Sequence, residues 1–75
     1  MPVVYVLPLD IFKKLTGKNK ASDAGIIRNK NGRADAIYIM MSESRVVIVP
    51  RRNSYIERRL KALYDAGVIK RVIVR

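Results

Sequence analysis

The spacing of apolar residues changes character several times along the chain, and each change predicts a structural element. Val3 to Leu7 is a β-branched and aromatic run cut off by Pro8, which predicts a first strand ended by the proline. Ile11, Phe12 and Leu15 then recur at helical spacing while Lys13 and Lys14 point to the other side. Asp10 as N-cap and Gly17 as a left-handed stop bound a short helix there. Lys18 to Gly25 has no period and many turn formers, so it reads as a loop exposing two lysines. Ile26 to Lys30 and Arg33 to Met41 flank Asn31-Gly32, the signature of a hairpin closed by a type I′ turn. On the second arm Ala34, Ala36, Tyr38 and Met40 alternate with Asp35, Ile37, Ile39 and Met41. Both faces therefore turn apolar toward its end, as in a central strand.

Ser42-Glu43-Ser44 turns the chain into Arg45 to Val49, another buried-looking strand, which Pro50 terminates. Ser54-Tyr55-Ile56-Glu57 matches a capping box, in which the Ser54 hydroxyl accepts from the Glu57 amide and the Glu57 carboxylate reaches back to Ser54. Ile56, Leu60, Leu63 and Tyr64 form one apolar stripe on the helix that follows, and Gly67 stops it. Val68 to Val74 reads as a closing strand. The prediction is an α+β fold, a small single sheet of about five strands with two helices in the order β-α-β-β-β-α-β. Residues 1–75 form one domain, because a chain this short supports a single core. Strand order within the sheet stays open at this level.

Charge changes the picture. Sixteen Lys and Arg against six Asp and Glu give a formal charge of +10. Such a surplus repels itself unless a polyanion gives it a use. Cysteine and histidine are both absent, which excludes disulfides, the usual zinc sites, Ser-His-Asp and Cys-His nucleophile systems and histidine proton shuttles. The four glycines are isolated, so there is no glycine-rich phosphate loop. The start of the chain lacks a basic n-region, and the longest apolar run, Ala36 to Met41, is far below the roughly 20 residues that cross a bilayer. A cytoplasmic protein without membrane association is the expectation. Lack of Cys, His, Trp and Gln beside abundant Val, Ile and Arg points to a thermophilic source, while the heat-labile Asn31-Gly32 pair points the other way.

The positive charge falls into two sets. Arg51 and Arg52 enter the second helix, Arg58, Arg59 and Lys61 lie along it, and Lys70 and Arg71 follow it. At 100° per residue Arg58 and Lys61 lie away from the apolar stripe and Arg59 flanks it, so the helix presents a basic face. Arg51 and Arg52 stand before the helix N-terminus, where the macrodipole adds to their pull on a phosphate. The second set, Lys18, Lys20, Arg28, Lys30 and Arg33, belongs to the loop and the hairpin tip and suits a groove-entering finger. Solvated helix faces and hairpin tips are also commonly basic without a partner. Tyr55, opposite the apolar stripe and among arginines, is the candidate stacking platform for a base, whereas Phe12 and Tyr64 have core spacing.

Arg58 to Arg71 resembles the end of a recognition helix running into the wing of winged-helix transcription regulators, although a strand-like segment, Arg45 to Val49, stands where those domains have a helix. Val4 to Phe12 together with Ser44 to Arg51 resembles swapped-hairpin AbrB-type DNA binders, with a longer insertion between the two parts. Neither resemblance covers enough of the chain to assign a family.

The resulting expectation is a non-enzymatic module that binds DNA or RNA through phosphates with modest sequence specificity, uses no cofactor or small-molecule substrate, and forms a homodimer through a sheet edge or face. The rival is a structural or assembly subunit that docks on an acidic protein or ribonucleoprotein. A metal-dependent nuclease that assembles one metal site from Asp23 and Asp35, or from their copies across a dimer, comes third.

Overall fold

A computed structural model describes residues 3–17 and 22–74. Its elements are β1 (Val3–Pro8), α1 (Leu9–Thr16), β2 (Ala24–Arg28), β3 (Ala34–Met40), β4 (Arg45–Pro50), α2 (Tyr55–Asp65) and β5 (Lys70–Ile73). The five strands form one antiparallel sheet in the order β2-β3-β4-β1-β5. The α+β class and the element order follow the hydrophobic pattern. Its insertion of β1 between β4 and β5 has no local signal in the sequence.

Register explains how one face becomes the core. Tyr5 pairs with Ile48, Leu7 with Val46, Tyr38 with Ile48 and Ile27 with Ala36. These residues share one side of the pleat and all are buried. Phe12 from α1 and Ile56 and Leu60 from α2 join them in a single cluster, so both helices cover the same face. Phe12 is fully buried and its ring lies 4.8 Å from that of Tyr38, tilted by 53°. The intervening residues form the other face: Val4, Val6, Ile26, Ile37, Ile39, Val47, Val49 and Val72. No described element lies over them, and Ile37 and Ile39 are each 54% exposed.

Several boundaries differ from the sequence expectation, each for a physical reason. Pro8 stays in β1, opposite Arg45, and is itself the N-cap of α1 with no side-chain cap bond. The Leu9 amide donates to the Ser44 carbonyl at 2.8 Å, so the chain passes directly from ladder to helix. Asp10 consequently sits inside the first turn, where its charge favours the positive end of the helix, rather than capping it. Strand β2 starts at Ala24, two residues earlier than expected, and ends at Arg28.

The hairpin is not closed by a two-residue turn. Asn29 N–H donates to the Arg33 carbonyl and Gly32 N–H to the Asn29 carbonyl, each at 2.9 Å, which leaves a three-residue loop, Lys30-Asn31-Gly32. The Asn29 carboxamide oxygen accepts from the amides of Asn31 and Arg33 at 2.9 and 3.0 Å. Only Gly32 then has to adopt a left-handed φ, of 82°, whereas a type I′ turn would demand it of Asn31 as well.

Helix α2 begins as expected in one half of its cap: the Ser54 hydroxyl accepts from the Glu57 amide at 3.1 Å. The other half is displaced by one residue. Glu57 Oε1 accepts from the Asn53 amide at 2.9 Å, because the Ser54 amide already donates to the Arg51 carbonyl in the preceding turn. At the far end Gly67, with φ 78°, donates to the Tyr64 carbonyl and Val68 donates to the Leu63 carbonyl. This Schellman closure occupies Val68, so β5 starts only at Lys70.

The winged-helix resemblance does not extend to the fold, since α2 follows a strand and packs on a five-stranded sheet. The two segments that resemble AbrB-type binders pair with each other within one chain, through β1 and β4.

Candidate nucleic-acid interface

Between Ile27 and Arg28 the β2–β3 register shifts: Ile27 pairs with Ala36 but Arg28 pairs with Ala34, which makes Asp35 an extra residue on β3. A bulge of this kind breaks the alternation and re-aims a side chain. Asp35 and Ala36, although consecutive, are thus both buried.

The buried Asp35 carboxylate holds the end of the sheet together. Its Oδ1 accepts from Arg51 Nη2 at 2.8 Å and from the Asn29 carboxamide at 3.2 Å. Arg51 also donates from its backbone amide to the Asp35 carbonyl at 2.6 Å and from Nε to the Ala34 carbonyl at 3.2 Å. The Arg51 side chain is 35% exposed against 6% for Asp35, so the pair seals a buried charge from the solvent side. Through it, the residue that leads into α2 is clamped to the hairpin. Asn53 completes the connection in the left-handed region at φ 64°, a conformation that asparagine tolerates.

This clamp creates a cleft of about 610 Å³ between the hairpin tip and the first turns of α2. Leu15, Ile27 and Ile56 supply its apolar lining. Its cations are Arg28 and Lys30 from the hairpin and Arg51, Arg58 and Arg59 from the helix region, and Asp35 is the one carboxylate among the lining residues. Tyr55 stands at the same cleft, 55% exposed, with Arg59 Nη1 donating to its hydroxyl at 3.0 Å and the Arg59 guanidinium 5.8 Å from the ring centroid. Arg28 Nη1 donates to the Gly32 carbonyl at 2.9 Å, which braces the hairpin tip.

The two basic sets read separately from the sequence therefore meet, but not in full. Arg28, Lys30, Arg51, Tyr55, Arg58 and Arg59 converge on the cleft. Arg33, Arg52 and Lys61 are exposed outside its lining. Lys70 and Arg71 lie on β5, at the sheet edge opposite the hairpin, where the Arg71 guanidinium covers the Tyr64 ring at 4.1 Å. Lys18 and Lys20 fall outside the described residues. Sequence reasoning missed Asn29 and Asn53; the only signal for the first was the local Asn-x-Asn-Gly pattern, in which an asparagine side chain folds onto amides two and four residues ahead.

Within one chain, Asp23 and Asp35 do not share a site. The Met40 amide donates to the Asp23 carbonyl, which puts Asp23 beside the far end of β3 from Asp35, about 17 Å away along a strand of five intervening steps. Among the described residues no three acidic side chains group together. None of the described helices is long and apolar enough to cross a membrane. Compared with known proteins, the chain matches no family model, no curated protein and no solved structure.

Proposed function

We propose that the chain is a non-catalytic nucleic-acid-binding module whose contact surface is the cleft between the β2–β3 hairpin tip and the start of α2. The convergence of basic side chains from two segments far apart in sequence carries this reading. Cations that only solubilise a protein gain nothing from being crowded together, whereas a polyanion repays their mutual repulsion. Lys30 and Arg58 have no side-chain partner among the described residues, which leaves their donors for phosphate oxygens. Arg28 and Arg59 each commit one nitrogen and retain the others. Arg51 acts chiefly as the clamp that positions the rest. Tyr55, held by Arg59, offers a ring on which a base can stack, an interaction worth about 1–3 kcal/mol.

Fluorescence anisotropy with labelled duplex DNA, single-stranded DNA and RNA tests the proposal. Binding tighter than about 10 μM at low salt is expected, and its absence on all three probes would overturn it. Replacing Arg58 and Arg59 by Glu is expected to weaken binding at least tenfold, while Lys61→Glu, on the same helix but outside the cleft, has a small effect.

A further inference from the structure

We propose that the bare face of the sheet is the interface of a homodimer, in which two copies of this chain pack sheet against sheet with their helices outward. The face is a continuous aliphatic surface: Ile26, Ile37, Ile39, Val47, Val49 and Val72 come from four strands and stand on one side of the pleat. Ile26, Ile37, Ile39 and Val72 are each about half exposed. Among described residues with this outward register, Arg28, Arg45 and Lys70 bring charge, and they sit at the last position of β2 and the first positions of β4 and β5, on the rim. Long stems there reach water while the centre stays dry.

Area favours the second copy. Five strands at about 4.8 Å spacing and six residues at about 3.3 Å rise give a footprint close to 500 Å² before side-chain relief is counted. Two such faces together remove about 1,000 Å² or more from water, the scale a specific interface requires.

Charge selects the same occupant. Each copy carries +10, which opposes association unless the cations stay apart. Sheet-to-sheet packing does this for the helix cations, because the basic cleft is lined by Leu15, Tyr55, Ile56, Arg58 and Arg59 of the helices, and it leaves Arg28, Arg45 and Lys70 at the rim in water. Two sheet layers about 10 Å apart then add to the separation, beyond the distance over which salt screens exposed charges. A partner chosen by charge complementarity would be drawn to the cleft; the centre of the bare face offers rows of branched aliphatics, which complement another copy of themselves under a two-fold axis. Burial on both sides also accounts for the unbroken aliphatic run Val46-Val47-Ile48-Val49, a pattern of strands covered on both faces.

Sedimentation equilibrium of the full chain at about 100 μM in 0.3 M salt tests this. The expected mass is twice 8.6 kDa for the wild type and 8.6 kDa for the Ile37→Lys/Ile39→Lys variant, with the helix and sheet circular-dichroism signal retained. A monomeric wild type, a mass above two copies, or a dimer that survives the double substitution would each overturn the proposal. Should the lysine variant fail to fold, Ile37→Thr/Ile39→Thr keeps β-branching. It is expected to raise the dimer dissociation constant at least tenfold, and an unchanged constant would count against the interface. Nucleic-acid affinity is read separately by anisotropy, so failure of the dimer leaves the cleft proposal standing.

Discussion

The two faces of the sheet carry opposite solutions to the same problem. On one, Tyr5, Leu7, Tyr38, Val46 and Ile48 disappear beneath two helices, and the one charge buried among the described residues, Asp35, is matched by Arg51. On the other, Ile26, Ile37, Ile39 and Val72 remain open to solvent. Each helix is amphipathic, so the covered face acquires a polar exterior and, where α2 meets the hairpin, a cationic cleft. Without such a layer, the other face keeps its aliphatic character. A chain of 75 residues thereby separates two kinds of surface, charged on the helical side and apolar on the bare side, and the two proposals assign one partner to each.

Substitutions can break this contrast, beginning with the largest effect. Phe12→Ala empties the centre of the covered face and is expected to cost about 4 kcal/mol, most of the stability of a domain this small, as read by urea unfolding. Arg51→Ala strands the Asp35 carboxylate and is expected to cost about 3 kcal/mol. Adding Asp35→Ala to it should cost less than the sum of the two single changes by about 2 kcal/mol, which a double-mutant cycle measures. Additive effects would show that the clamp is not a coupled unit. Ser54→Ala removes the acceptor for the Glu57 amide and should lower stability by about 1 kcal/mol. Lys61→Glu is the smallest: stability stays within about 0.5 kcal/mol, since the residue is exposed and has no side-chain partner among the described residues.

Gly25 sharpens the contrast from the covered side. A Cβ there would come within 2.8–2.9 Å of the Tyr38 ring, so Gly25→Ala must displace a buried aromatic, and a drop in the unfolding midpoint is expected.

Much of the fold was readable because local chemistry and tertiary structure agree. Gly17 and Gly67 stop both helices in the left-handed region, Ser54 caps the second, and the alternation around Tyr38 assigns β3 to the interior of the sheet. Where local rules misled, a competing local bond had won: Asn29 replaced the type I′ turn, and the Arg51–Ser54 bond displaced the second half of the capping box. The β1 position between β4 and β5 depends on pairings across most of the chain, which no short window encodes.

The same division applies to the site. Arginine-rich stretches were visible as such, but what joins them is the pairing of β3 with β4 and the bulge at Asp35, followed by an ion pair across 16 residues. Sequence spacing gave no sign that Arg28 and Lys30 would meet Arg58 and Arg59, or that Lys70 and Arg71 would be carried to the far edge.

The central claim is that the cleft cations act together on a phosphate backbone, and its most direct test is the salt dependence of anisotropy titrations with a labelled single-stranded oligonucleotide. Four contacts, from Arg28, Lys30, Arg58 and Arg59, predict a slope of log K against log salt of about −3. The Arg58→Glu/Arg59→Glu variant should bind at least tenfold more weakly at 0.1 M salt, with a slope shallower by about 1.4. Affinity independent of salt, or a variant that retains wild-type affinity and slope, would contradict the account.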